Sequence, residues 1–128
     1  MVSIAAVIYA ILMSIVMLFQ LALTLGVPWG EASMGGKFKG KYPPKMRVVS
    51  FVNMLVLCFI MIVVLIRSGL MVPEFQPDVR ITFWFALGFT VLSAIMNWMT
   101  PSKIERNIWG PVTAIQLVCI LIIAFNTG

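Results

Sequence analysis

A chain of 128 residues that is 62% hydrophobic and only 10% charged cannot clothe itself in a polar surface; soluble domains carry about 25% charged residues. Nine Lys and Arg against four Asp and Glu leave a net charge of +5, which in so apolar a chain orients helices in a membrane rather than binding nucleic acid. Histidine is absent, removing the commonest metal ligand and general base and arguing against most zinc sites, His-ligated haem and Ser-His chemistry.

The expected fold class is all-α: an integral membrane four-helix bundle, up-down-up-down, forming one transmembrane domain over 1–128. The first apolar run is Ile4–Gly26. It lacks a basic leader and is about twice the length of a signal-peptide core, so it is expected to be a retained span. The second run, Val48–Ile66, is bracketed by Arg47 and Arg67. The third is Ile81–Met99 and the fourth Ile108–Phe125. Each approaches the ~20 residues that cross about 30 Å of hydrocarbon. Ser102 and Glu105 have capping-box spacing, which predicts a helix from Lys103, and Gly110-Pro111 predicts a bend within it. Cys58 and Cys119 stand alone in apolar runs and are read as small buried hydrophobes.

The connections are unequal in charge. The loop 27–47 holds Lys37, Lys39, Lys41, Lys45 and Arg47, and the loop 100–107 holds Lys103 and Arg106; the opposite side has only Arg67 and Arg80. The positive-inside rule therefore predicts a multi-pass protein of the cell membrane with both of these loops cytoplasmic and both termini extracytoplasmic. Trp29, Trp98 and Trp109 fall where an interfacial aromatic belt belongs.

Depth along the spans singles out one carboxamide per helix: Gln20, Asn53, Asn97 and Gln116, all toward the cytoplasmic ends. Further residues extend each into a stripe, namely Gln20–Thr24, Arg47–Ser50–Asn53, Thr90–Ser93–Asn97 and Arg106–Trp109–Thr113–Gln116. The outer stretches Met54–Ile66 and Leu117–Phe125 are nearly featureless, with Tyr9 and Ser14 the exceptions on that side. Two readings stay open. The amides are interhelical hydrogen bonds, or they line a cavity open to the cytoplasm with Arg47 and Arg106 at its mouth. No carboxylate lies in any span, which argues against a proton relay or a cation-coupled site. The two halves echo each other weakly as helix, basic loop, helix, a pattern that parallel transporter repeats share.

Taken together, PWGE at 28–31, GG at 35–36, YPPKMR at 42–47 and PSKIERNIWGP at 101–111 resemble a group of small four-span bacterial membrane proteins, with P-W-G and G-G after the first helix and Pro-x-x-Arg before the second. The resemblance implies a bacterial inner membrane and carries no substrate with it. The expected function is binding, with transport as an extension, of a small polar or anionic solute or lipid headgroup at the cytoplasmic face, by Arg47, Asn53, Gln20, Asn97, Arg106, Gln116 and Glu31. The alternative is a non-catalytic accessory subunit whose basic loop docks a partner or the anionic lipids of the cytoplasmic leaflet. A third is a lipid-modifying enzyme using Glu31, for which the sequence supplies no partner residue. No catalytic residue, metal site or cofactor is indicated. A homodimer is the expected assembly, because so small a bundle needs a second copy to enclose a pathway.

Overall fold

The computed structural model describes residues 2–32, 36–37 and 40–127, with the side chains of Glu31 and Pro73 outside the description. Among these residues there are four α-helices and no strand: α1 Val2–Leu25, α2 Pro44–Arg67, α3 Arg80–Met99 and α4 Lys103–Thr127, with short 3-10 turns at Gly30–Ala32 and Pro73–Phe75. Each α-helix is long and apolar enough to cross a membrane.

In hydrocarbon every backbone group needs an internal partner, and the helix ends follow that demand closely. α1 stops at Gly26, whose φ of +94° suits glycine; Gly26 N–H donates to Leu23 O and Val27 N–H to Ala22 O, the Schellman pairing. α2 stops the same way, with Gly69 N–H donating to Ile66 O and Leu70 N–H to Leu65 O. α2 begins at Pro44, earlier than the apolar run at Val48, because proline fits the first helical turn, where its missing N–H has no intrahelical role. α4 begins as the capping-box spacing predicts: Ser102 Oγ accepts the Glu105 N–H at 3.2 Å. α4 is one continuous helix with Pro111 inside it. Thr113 Oγ1 lies 2.7 Å from Trp109 O and 3.0 Å from Gly110 O, adding a hydroxyl partner beside the site where proline removes an N–H.

α1 packs on α2 and α4, and α4 packs on α3. The apolar core is strongly off-centre. It consists of Ala5, Ala6, Tyr9 and Met13 from α1, Leu57 to Val64 from α2, Phe83 and Ala86 from α3, and Cys119 to Ala124 from α4. These are the early parts of α1 and α3 and the late parts of α2 and α4. Lipid tails are as apolar as leucine, so this packing is driven by close contact rather than escape from water, and the alanines let the backbones approach. Large apolar side chains face outward along the whole length, including Ile4, Ile11 and Leu18 on α1 and Phe85, Leu92 and Met99 on α3. Such an exterior suits lipid.

Candidate functional site at the basic end

A second set of buried residues, on the late parts of α1 and α3 and the early parts of α2 and α4, is polar. Gln20, Ser50, Thr100, Ser102, Thr113 and Gln116 are all buried there. Two arginines clasp it. Arg47 Nε donates to Thr24 O at 2.7 Å, joining the first turns of α2 to the last turn of α1. Arg106 Nη1 donates to Thr100 O at 3.3 Å, joining the first turns of α4 to the end of α3. Each arginine is the fourth residue of its helix, so the weak echo between the halves is an equivalent clasp in each hairpin. Both satisfy carbonyls that a helix C-terminus leaves without partners.

Gly26 leaves room for the first clasp. A methyl group there would meet Lys41 Cε at 2.8 Å and Arg47 Cζ at 3.4 Å. Beside it runs an open groove of about 350 Å³ lined by Thr24, Pro44, Arg47, Val48 and Phe51. The start of loop one folds over the other side. Trp109 Nε1 donates to Ala32 O at 3.0 Å, and Phe19 lies between Trp29, stacked at 6.5 Å, and Trp109, tilted at 4.8 Å. Across α3 and α4, the Trp98 ring covers Gly110, where a methyl would come within 3.1 Å of Cε2.

The four carboxamides do not form a hydrogen-bonded ring. Gln20 and Gln116 are buried, whereas Asn53 and Asn97 are half-buried. Asn97 Nδ2 donates to Ser93 O of its own helix at 2.7 Å. Gln116 Nε2 reaches only Met13 Sδ, at 4.0 Å, which is too long and soft to count as a full hydrogen bond. Among the described residues no protein group hydrogen-bonds the side chains of Gln20, Ser50 or Asn53. Thr24 and Thr113 spend their hydroxyls on their own helices, at Gln20 O and at Trp109 O. Of the residues expected at the site, Arg47 is tied to α1 at Thr24, one turn beyond Gln20, and Gln116 approaches α1 at Met13. Asn97 and Arg106 belong to the α3–α4 side, and the Glu31 side chain lies outside the described residues.

Two details lie beyond the sequence, although Ser50, Tyr9 and Thr90 each stand out in it. Ser50 is more deeply buried than Asn53 on the same stripe; the three-residue spacing was visible, but only packing decides which member faces inward. Tyr9 Oη and Thr90 Oγ1 are 2.9 Å apart, both buried, linking α1 to α3. Thr90 Oγ1 also lies 2.9 Å from Ala86 O. The single Thr90 proton goes to that carbonyl, so Tyr9 is the donor between the helices. This pair stands where the polar half meets the apolar core. At the far end Arg67 donates through Nη1 to Gln76 O at 3.0 Å and through Nη2 to Thr127 O, while Gln76 Nε2 donates to Arg67 O at 2.7 Å. A second shallow groove, about 380 Å³, is lined by Ile4, Ala5, Ile8, Ala114, Ile115, Val118, Cys119 and Ile122.

No protein-family model, curated protein or solved structure matches this chain.

Proposed function

We propose that the four helices form an up-down-up-down bundle with the loops 27–47 and 100–107 cytoplasmic and both termini outside, and that the protein binds a small polar or anionic solute entering from that basic face, without covalent chemistry. The observation that supports this reading is the lengthwise division of the interior: apolar packing around Tyr9, Val64, Phe83 and Ile120, and the buried polar residues Gln20, Ser50 and Gln116 toward the basic end. Replacing Asn53 and Gln116 together by Leu tests the reading. Loss of solute binding with retained thermal stability supports it; unchanged binding with lower stability makes the amides structural. Reporters fused at the C-terminus test the orientation, since activity of a cytoplasm-only reporter there reverses it.

A second reading is favoured by the groove at Thr24, Pro44, Arg47, Val48 and Phe51. Guanidinium and ammonium groups beside exposed Val48 and Phe51 suit an anionic lipid, headgroup on the cations and acyl chain on the apolar wall. Charge reversal at Arg47 would remove the preference for anionic over zwitterionic lipid while leaving the solute site intact.

A further inference from the structure

We infer that the groove beside the Arg47 clasp holds a lipid whose headgroup is a phosphate monoester, as in phosphatidic acid, with Arg47 and Lys41 as its partners. This rests on the anionic-lipid reading of that groove and names the headgroup.

Two cations converge where α1 ends. A methyl group built on Gly26 would stand 2.8 Å from Lys41 Cε and 3.4 Å from Arg47 Nη2, so those two atoms are no farther apart than these lengths laid end to end. One phosphate spans such a gap, with charge-assisted hydrogen bonds of about 2.7–2.9 Å on either side. The guanidinium is aimed before any ligand arrives. Its Nε donates to Thr24 O at 2.7 Å, and among the described residues no protein group accepts from Nη1 or Nη2. Arg47 also lines the groove of about 350 Å³, with Thr24, Pro44, Val48 and Phe51. The wall beyond the guanidinium is apolar. Val48 and Phe51 are 64% and 43% exposed, and Leu55 continues the same face of α2. A headgroup alone leaves that wall bare, whereas an acyl chain covers it.

Charge and donor count decide the headgroup. Ammonium and guanidinium groups donate and do not accept, and no Asp or Glu is among the residues lining the groove. The ammonium of a zwitterionic headgroup therefore finds no counter-charge there. A phosphodiester brings one negative charge to two cations. A phosphate monoester brings about −1.5 to −2 at pH 7 and three acceptor oxygens, which match both.

Native mass spectrometry of the full chain in detergent tests this, with dioctanoyl phosphatidic acid, phosphatidylglycerol and phosphatidylcholine as probes and inorganic phosphate as competitor. At pH 7.5 phosphatidic acid is expected to bind about tenfold tighter than phosphatidylglycerol. The preference should shrink to within about threefold at pH 5.5, below the second phosphate pKa of about 6, where the monoester carries a single charge. The chain has no histidine to titrate in that window. Arg47→Gln should weaken phosphatidic acid about tenfold, and Lys41→Gln about threefold, since Lys41 is exposed. Lys41 lies outside every α-helix, so its variant keeps the test open should Arg47→Gln loosen the clasp. Lys45→Gln, outside the groove, should stay within about twofold; a loss there equal to that of Lys41→Gln makes the attraction diffuse and overturns the paired site. Equal binding of phosphatidic acid and phosphatidylglycerol, both dependent on Arg47, overturns the monoester class and leaves the anionic-lipid reading standing. Inorganic phosphate displacing phosphatidic acid as well as the lipid displaces itself overturns the lipid as occupant. No preference for either anionic lipid over phosphatidylcholine overturns both readings.

Discussion

Removing the Tyr9–Thr90 contact should be asymmetric in a way that its geometry dictates. Thr90 gives its only proton to Ala86 O, so Tyr9 is the donor at 2.9 Å. In Tyr9→Phe the donor leaves with the bond and Thr90 keeps its carbonyl. The expected cost is that of one intramembrane side-chain hydrogen bond, about 0.6–1.7 kcal/mol. In Thr90→Val the phenol remains at 1% exposure with no other hydrogen-bond partner among the described residues. That orphaned donor should raise the cost to about 1–3 kcal/mol. Thr90→Val introduced into the Tyr9→Phe background should then add less than about 0.5 kcal/mol, because nothing is left to orphan. Unfolding by SDS in mixed micelles, followed by circular dichroism, gives all four corners of the cycle. Strictly additive costs, or Tyr9→Phe exceeding Thr90→Val, would refute the donor assignment and the claim that this pair joins α1 to α3.

Three further outcomes can be checked by the same unfolding assay. Gly110→Val forces its side chain against the Trp98 ring, already 3.1 Å from where a first carbon would stand, and should cost about 1–3 kcal/mol; adding Trp98→Ala should return part of that loss, and no rescue would mean that the ring is not the obstacle. Arg67→Met removes the donors to Gln76 O and Thr127 O and should cost about 1.5–3 kcal/mol, the worth of one charged hydrogen bond, since water reaches carbonyls at a helix end; Arg67→Lys matching wild type would show that the forked geometry is unimportant. Ser102→Ala deletes the acceptor of the Glu105 N–H and should cost about 1 kcal/mol with faster amide exchange in the first turn of α4; exchange unchanged at Glu105 would argue that the cap contributes nothing.

Which parts of this arrangement can be read without coordinates follows from the range of the forces involved. Helix existence is written in hydropathy over about 20 residues. The start of α4 is written in Ser102 and Glu105, which are local. α2 begins at Pro44, before the apolar run at Val48; hydropathy ignores the polar first turn that Pro44 opens. The depth of the four amides is likewise a matter of counting. Rotation about each helix axis is not: Gln20 and Gln116 turn inward, while Asn53 and Asn97 stop half-buried, and the difference depends on neighbours supplied by other helices. The arginines were read as the mouth of a cavity. Their guanidinium groups reach the carbonyls of Thr24 and Thr100, partners that no spacing rule would nominate. The docking of Trp29 and Ala32 onto Trp109 is likewise tertiary, joining segments remote in sequence.

The off-centre core has a mechanical consequence. Prying the helices apart at the Arg67 end breaks interdigitated packing, for which lipid offers no equal replacement. Prying them apart at the Arg47 end breaks polar contacts, for which water is a ready substitute. Fluctuations should therefore concentrate at the basic end, with the Ala6–Val64–Phe83–Ile120 region acting as a fixed pivot, and amide exchange should slow steadily along each helix toward it. On the proposed solute-binding reading, such a molecule would work like tweezers rather than a rocking gate. A single copy would admit and release its occupant through the same door, and a through-route across the bilayer would have to be assembled from surfaces that two or more copies present to each other.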